Sequence, residues 1–234
     1  NALRDWKIAV IQPNDNDVDV FTDWDEQKLF IKVVNKVYSS NEKESYLSNF
    51  AIAINSNILG LEIDNESGPV QFPAQLGYGE SFEICLKMKY NIQSINPSNI
   101  QLQVALRTSK GTKMFNVPID LSYLVSAANI DKEQFESHWR QMGVVVKDEN
   151  GRDVIKNEII TSIQNSQVAE PAILSGRGIN TVDFIQNLNE KMWKLSFIVP
   201  VNKMYLAKIS EANNTVVVHI RGDQSLLPLI QENL

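Results

Sequence analysis

The first half of the chain consists of short, β-rich segments separated by turn-forming residues, and this arrangement restricts the fold more than any other feature. The predicted strands cover residues 29–38, 47–54, 59–63, 81–90 and 100–107. Apolar side chains occupy the even positions from Phe82 to Met88 and mostly charged ones the odd positions, as in a strand with one buried face. Strands at this spacing, with no helix between them, favour an antiparallel sandwich over a doubly wound parallel sheet.

The second half opens with the clearest helical pattern in the chain, at residues 130–143. Asp131 is a suitable N-cap, Gln134 is placed to complete a capping box, and Gly143 ends the run. Further strands and a closing helix are predicted at residues 192–200, 203–209, 215–222 and 225–234. An all-β half therefore precedes a half built of helix, strands and helix, and we place the boundary near residues 124–128.

The residue types that most enzymes use are scarce. One Cys and two His among 234 residues exclude an internal disulfide and a closed Cys/His zinc site. The chain contains no G-x-S-x-G, Walker or H-E-x-x-H motif, so His138 and His219 have no nucleophile placed beside them by motif. Cys85 falls inside an apolar strand, where we expect a buried, unreactive thiol. We therefore predict a protein without catalytic activity, cofactor or metal.

Charge and hydropathy also limit the partners. No apolar run approaches the ~20 residues that cross a bilayer, and no secretory signal opens the chain, so we expect an intracellular protein that does not insert into membranes. The net charge of −6 argues against nucleic-acid binding, which needs a basic surface. Because the chain begins at Asn1 rather than at a methionine, we expect it to be a fragment of a longer protein.

An acidic stretch near the N-terminus has the spacing of a calcium-binding loop. Acidic residues stand at positions 1, 3, 5, 9 and 12 of an EF-hand loop: Asp15, Asp17, Asp19, Asp23 and Glu26. Position 6, however, is Val20, where the sharp turn requires Gly, and both flanks have a strand pattern rather than a helical one. We therefore interpret the stretch as an acidic, solvated segment rather than as a metal site.

Two tryptophans stand next to cations in the second half. Trp139 is followed by Arg140 and Trp193 by Lys194, with Arg177 upstream of the second pair. A rigid indole beside cations suits a peptide that carries an apolar anchor and acidic flanks. The alternative is that Trp139 belongs to an apolar helix stripe and packs in the core.

Several of these segments together resemble the appendage, or ear, of the β-adaptin large subunits of clathrin adaptor complexes. The resemblance covers essentially the whole chain at low identity. It rests on residues 47–61, on IQLQVALR followed by VPIDLSYLV, on the helix ending FESHWRQM, and on the order of the final strands. The α-adaptin ear is the closest competitor, because residues 171–179 look slightly more like that branch.

The resemblance implies an α+β, mostly β fold of two lobes: an immunoglobulin-like β-sandwich at residues 1–125 and an α/β platform with an antiparallel sheet and flanking helices at residues 126–234. It implies no catalysis. Such ears bind short Phe- or Trp-containing motifs in endocytic accessory proteins and, in the β branch, clathrin. The rest of a full-length chain contacts other adaptor subunits. The implied location is cytoplasmic, at clathrin-coated pits and vesicles.

The resemblance also suggests a binding site on the platform. Its residues in this chain are Trp139, Arg140, Trp193, Arg177, Phe135 and Lys208, the last standing where the family has an acidic residue. We expect an apolar ring of the peptide to pack between Trp139 and Trp193 while Arg140 contacts acidic groups. Trp139→Ala is then expected to abolish binding of accessory proteins without unfolding the domain.

Two further expectations follow from the comparison with the family. A second site, on the sandwich, is built around a Tyr in the β branch, and here Phe115 is the nearest aromatic. The alternative to a peptide-binding module is a structural assembly domain of a larger coat complex, without a peptide groove. Exposure of Trp139 separates the two hypotheses, since a wholly buried indole with no surrounding groove favours the structural role.

Overall fold

The computed structural model describes residues 3–14, 16–164 and 178–234. The chain divides into two compact units, unit 1 (Asn1–Ile119) and unit 2 (Asp120–Leu234). This division lies a few residues before the interval 124–128 inferred from the sequence. Antiparallel sheets dominate both units, which confirms the predicted mostly β class.

Unit 1 contains eleven short strands. They are β1 (Lys7–Ile8), β2 (Ile11–Gln12), β3 (Val18–Asp25), β4 (Lys28–Asn35), β5 (Leu47–Ser48), β6 (Ala51–Ile54), β7 (Leu61–Ile63), β8 (Gln75–Leu76), β9 (Ser81–Tyr90), β10 (Gln101–Thr108) and β11 (Gly111–Pro118), with 3₁₀ turns at Glu42–Glu44 and Ile92–Ser94. The sheets have the orders β1-β3-β4-β9-β7, β2-β11-β10-β6 and β5-β8.

Two residues of the acidic stretch near the N-terminus, Asp19 and Asp23, belong to strand β3 and are half-buried, which corrects their interpretation as part of a solvated segment. The even positions of β3 are buried and the odd positions half-buried. The guanidinium of Arg4 lies 3.8 Å from Asp23 and 3.4 Å from Asp25. Carboxylates two residues apart on a strand are separated by about 6–7 Å and do not converge on one cation. Asp15 lies outside the described residues, which contain no group of three potential metal-binding side chains.

Strand β9 has the bounds predicted from the alternating pattern, but one consequence drawn from it is wrong. Ile84, Leu86 and Met88 are buried, as expected. Cys85 is exposed rather than buried, because its odd position places it on the outer face of the sheet. The thiol is therefore open to solvent although its strand neighbours are core residues.

The inner face of β11 carries a buried charge and a buried aromatic. The side chain of Lys113 is 1% exposed, and its ammonium lies 2.8 Å from the carboxylate of Asp17. Phe115, two residues later on the same face, is also buried. Phe115 therefore does not offer its ring to a ligand in the way expected of the second, sandwich site.

The described residues of unit 2, 120–164 and 178–234, form one large sheet, a small hairpin and two helices. Its elements are β12 (Ser126–Ala127), α1 (Lys132–Met142), β13 (Val145–Lys147), β14 (Asp153–Ile155), β15 (Glu158–Gln164), β16 (Asn180–Gln186), β17 (Glu190–Val199), β18 (Lys203–Ala212), β19 (Thr215–Arg221) and α2 (Leu227–Glu232), with 3₁₀ turns at Leu121–Tyr123 and Gln224–Leu226. The large sheet has the order β12-β17-β18-β19-β15, β16 pairs with β17 beside β12, and β13 pairs with β14.

Helix α1 begins and ends where its sequence signals predict. The side chain of Asp131 accepts from the backbone N–H of Gln134 at 2.8 Å, and the side chain of Gln134 accepts from the backbone N–H of Asp131 at 2.9 Å. This capping box satisfies two N–H groups that have no partner inside the helix. Gly143 is the C-cap.

The large sheet of unit 2 buries side chains on both faces. Because successive side chains of a strand point to opposite faces, each residue can be assigned to one of them. The α1 face carries Lys194, Leu206, Lys208, His219 and Arg221. The α2 face carries Trp193, Leu195, Phe197, Tyr205, Ile209 and Val218. Helix α2 lies on the second face, where Gln231 contacts Thr161 of β15. Pro228 is in its first turn, as predicted.

Candidate functional site

Trp139 lies in the small apolar core beneath helix α1. The residue is 7% exposed and packs with Phe135 and Leu206, both fully buried. The rings of Phe135 and Trp139 are stacked with centroids 5.8 Å apart. Both aromatic residues predicted for the helix therefore have a packing role, and only the margin of the indole is open to solvent.

Charged side chains surround that margin. The ammonium of Lys208 lies 4.6 Å from the indole centroid, and the guanidinium carbon of Arg221 lies 4.5 Å from it. The ring of His219 meets the indole edge-on at 4.8 Å. Cations at these distances are attracted by the negative face of an indole. The structure thus brings Lys208 next to Trp139, as the predicted site requires.

Glu158 fixes this arrangement from the neighbouring strand. Its Oε2 accepts from Nε of Arg221 at 3.0 Å and lies 2.5 Å from Nε2 of His219. Arg221 also donates from Nη1 to the backbone carbonyl of Trp139 at 2.9 Å. Arg221 is therefore held between the end of helix α1 and strand β15, with its charge against the indole.

Two lysines stand directly opposite each other on the same face. The register of β17 and β18 pairs Lys194 with Lys208, and β19 adds His219 to the row. Glu136 of helix α1 bridges the lysines, at 2.6 Å from Lys194 and 3.5 Å from Lys208. The hydrogen bond from Lys194 lowers the pKa of Glu136 below its ordinary value. Partial burial, opposed by the charge of Glu136, lowers the pKa of Lys208.

Arg140 extends from the same helix into solvent. Its residue is exposed, and its Nε donates to the backbone carbonyl of Glu136 at 3.2 Å. No salt bridge to its guanidinium occurs within the described part of the chain. Arg140 is therefore the most accessible cation of the predicted set.

Trp139 and the charged and polar side chains around it form a cluster on the α1 face of the sheet. Trp193 is not part of this cluster, contrary to the expectation that a ligand ring fits between two tryptophans. Trp193 pairs with Ile209, whereas Lys208 points to Trp139, so the two indoles lie on opposite faces of the sheet. Trp193 instead contacts Phe184 of β16, with ring centroids 5.2 Å apart. Arg177 lies outside the described residues.

The cluster on the α1 face can therefore contact anions and aromatic rings. It also includes five charged or polar residues that the predicted site omitted: Glu136, Glu158, Lys194, His219 and Arg221. A signal for one of them was present in the sequence. Val199 and Lys203 face each other across the turn between β17 and β18. Counting five residues away from the turn along each strand pairs Lys194, and not Trp193, with Lys208.

No protein-family model matches the chain, and no curated protein sequence matches it. No helix in the described ranges combines the length and apolar character that crossing a membrane would require.

Proposed function

We propose that the chain is a non-enzymatic peptide-binding module of the adaptin-appendage type, in which unit 1 is the immunoglobulin-like sandwich and unit 2 the platform. In this proposal it recruits trafficking accessory proteins to clathrin-coated pits or vesicles through short Phe- or Trp-containing motifs, and clathrin is a further candidate partner. The rest of a full-length chain would contact the other adaptor subunits. Two β-rich units, the second with a capped helix over an antiparallel sheet, support this proposal.

The observation that carries the proposal is the excess of positive charge around the margin of Trp139. Lys208 and Arg221 flank the indole, and Arg140, the next residue of the helix, is exposed to solvent. A protein with a net charge of −6 has no need of a cationic cluster for solubility. A cluster in which cations outnumber carboxylates, beside the edge of an indole, is suited to a ligand that is acidic and carries an apolar side chain.

The mode of binding differs from insertion between two indoles. We place the aromatic side chain of the peptide against the outer margin of helix α1, near Arg140 and the Trp139 edge, with acidic residues directed at the cations. Such a shallow contact fits single-motif affinities in the micromolar range, about 8 kcal/mol, with avidity supplied by several motifs on one disordered tail.

Binding of a labelled acidic Phe-containing peptide, followed by fluorescence anisotropy, tests the proposal. Arg140→Glu is expected to weaken binding, because it reverses an accessible charge without disturbing the core. Arg152→Glu is the matched control, since Arg152 is an exposed arginine of the same unit paired with Asp148. Equal affinities of wild type and both variants, or no binding by the wild type, would contradict the proposal.

One observation favours the second candidate, a structural assembly domain without a peptide groove. Trp139 is almost completely buried, which meets the burial part of the condition that favours the structural role. Under this alternative, the wild type binds no Phe-containing peptide but still co-purifies with the complex of which it is a part, and Arg140→Glu leaves that assembly intact.

A further inference from the structure

Glu136 occupies a position between two lysines that an acidic ligand could also occupy. Its carboxylate bridges Lys194 at 2.6 Å and Lys208 at 3.5 Å. The Glu136 side chain is 41% exposed, whereas those of the two lysines are 18% and 27% exposed. Solvent thus reaches the carboxylate more readily than the ammonium groups that it covers.

The placement of the two lysines needs an anion. They are directly paired neighbours on one face of the sheet, and like charges in such pairs repel each other. The only carboxylate that bridges both within the described ranges is Glu136, through one short and one longer contact. The contact to Lys208 is the longer of the two, at 3.5 Å, and the same ammonium lies 4.6 Å from the indole centroid of Trp139.

The second acidic group of the cluster cannot serve the lysines. Glu158 contacts Arg221 and His219, at the other side of the indole. Asp183 of β16 also stands across from Lys194, and its carboxylate is paired with Lys132 of helix α1 at 2.8 Å. The four cations Lys132, Lys194, Lys208 and Arg221 are thus opposed by three carboxylates, and Arg140 adds a further positive charge at the helix surface. The cluster retains an excess of positive charge even with Glu136 in place.

We propose that Lys194 and Lys208 form the subsite for an acidic residue of the peptide, and that Glu136 is an internal competitor which the carboxylate of the peptide displaces. This inference rests on the proposed peptide-binding function. Glu136 then sets the affinity and the selectivity of the site, because a peptide must exchange one carboxylate for another on the same pair of ammonium groups. Aromatic peptides without acidic residues do not make this exchange.

Two peptides that differ only in charge test the inference. One is a short peptide with a central Phe flanked by Asp residues, and the other has Asn in place of each Asp. Glu136→Gln is expected to raise the affinity for the Asp peptide about two- to fivefold, the range expected for a partly exposed ion pair. The affinity for the Asn peptide is expected to stay unchanged.

Glu133→Gln is the matched control, because Glu133 is an exposed glutamate on the same helix and its removal changes the net charge equally. A similar gain with Glu133→Gln would show that only net charge matters and would overturn the inference. An unchanged or weaker affinity of Glu136→Gln for the Asp peptide would also overturn it. If either of these results is obtained while the wild type binds both peptides, the inference about Glu136 fails but the proposed function stands. Absence of binding of either peptide to wild type and variant would instead refute the proposed function.

Discussion

Replacing Trp139 by Ala is predicted to destabilise unit 2 rather than to remove a ligand contact cleanly. The side chain is 7% exposed and fills the space between Phe135 and Leu206. Truncating a buried tryptophan costs about 3–5 kcal/mol, through lost transfer free energy and the cavity that remains. The loss of attraction to Lys208 and Arg221 adds about 0.5–2 kcal/mol for each cation.

A loss of this size is a large part of the 5–15 kcal/mol that typically stabilises a domain. The free energy of unfolding can be measured by urea denaturation, and hydrogen exchange can assign the change to unit 2, because a chain of two units need not unfold in one step. Trp193→Ala is the matched control. Trp193 is half-buried against Phe184, which is 47% exposed, so we expect a loss of about 1–2 kcal/mol.

A Trp139→Ala protein whose free energy of unfolding lies within about 1 kcal/mol of the wild type would refute this reasoning, since Trp→Ala changes in a core cost more. The expectation that this variant abolishes partner binding without unfolding is therefore replaced. Loss of partner binding by Trp139→Ala would not identify a binding surface, and Arg140→Glu is the better probe.

Three further predictions concern other parts of the chain. Cys85 is expected to react with a thiol reagent in the native protein at a rate close to that in denaturant, because it is exposed, and full protection would contradict the assignment of the outer face. Asp17→Asn is expected to lower the free energy of unfolding of unit 1 by about 1–3 kcal/mol, because it weakens a charge-assisted contact to the buried Lys113, and an unchanged urea midpoint would argue against that role. The stability of unit 2 is expected to fall as the pH drops below the ordinary Glu range, since the folded-state pKa of Glu136 is lowered and the folded form binds fewer protons there. Thermal unfolding of Glu136→Gln across the same pH range should lack this part of the loss, and identical profiles would contradict it.

Strong local signals predicted the elements that they define. The Asp131–Gln134 pair marks the start of helix α1 because its capping contacts involve neighbouring residues only. The alternation from Phe82 to Met88 gives both the bounds and the buried face of β9. In both cases, the information lies within a few consecutive residues.

The errors arose where a residue type was given more weight than its position. The acidic residues Asp17, Asp19 and Asp23 suggested a solvated segment, although valines and other buried residues alternate with them as in any half-buried strand. Cys85 was placed inside because of its chemistry, while its odd position places it outside. Strands β15 and β16 are not among the strands predicted from the sequence. Both are half-exposed and have only a weak hydrophobic alternation, because pairing with neighbouring strands rather than burial holds them in the sheet.

The candidate site could be predicted only in part, because it depends on pairing between distant segments. Trp139 and Arg140 follow from the helix itself. The contacts of Lys208 and Arg221 with the indole, and of Arg221 with Glu158, depend on the register of three strands. No pattern within one segment carries that information.

The length of the connection at residues 200–202 sets the register of β17 against β18, and therefore which side chains of β17 lie beneath helix α1. With the present spacing, Lys194 stands opposite Lys208 and Trp193 points away. Deleting one residue between Lys194 and the turn would reverse the orientation of the first part of β17 and bring an indole opposite Lys208. A single codon, with almost no effect on composition or charge, would thus convert an anion-attracting surface into an aromatic one. Ligand preference in such a sheet can therefore change by insertion or deletion as readily as by substitution.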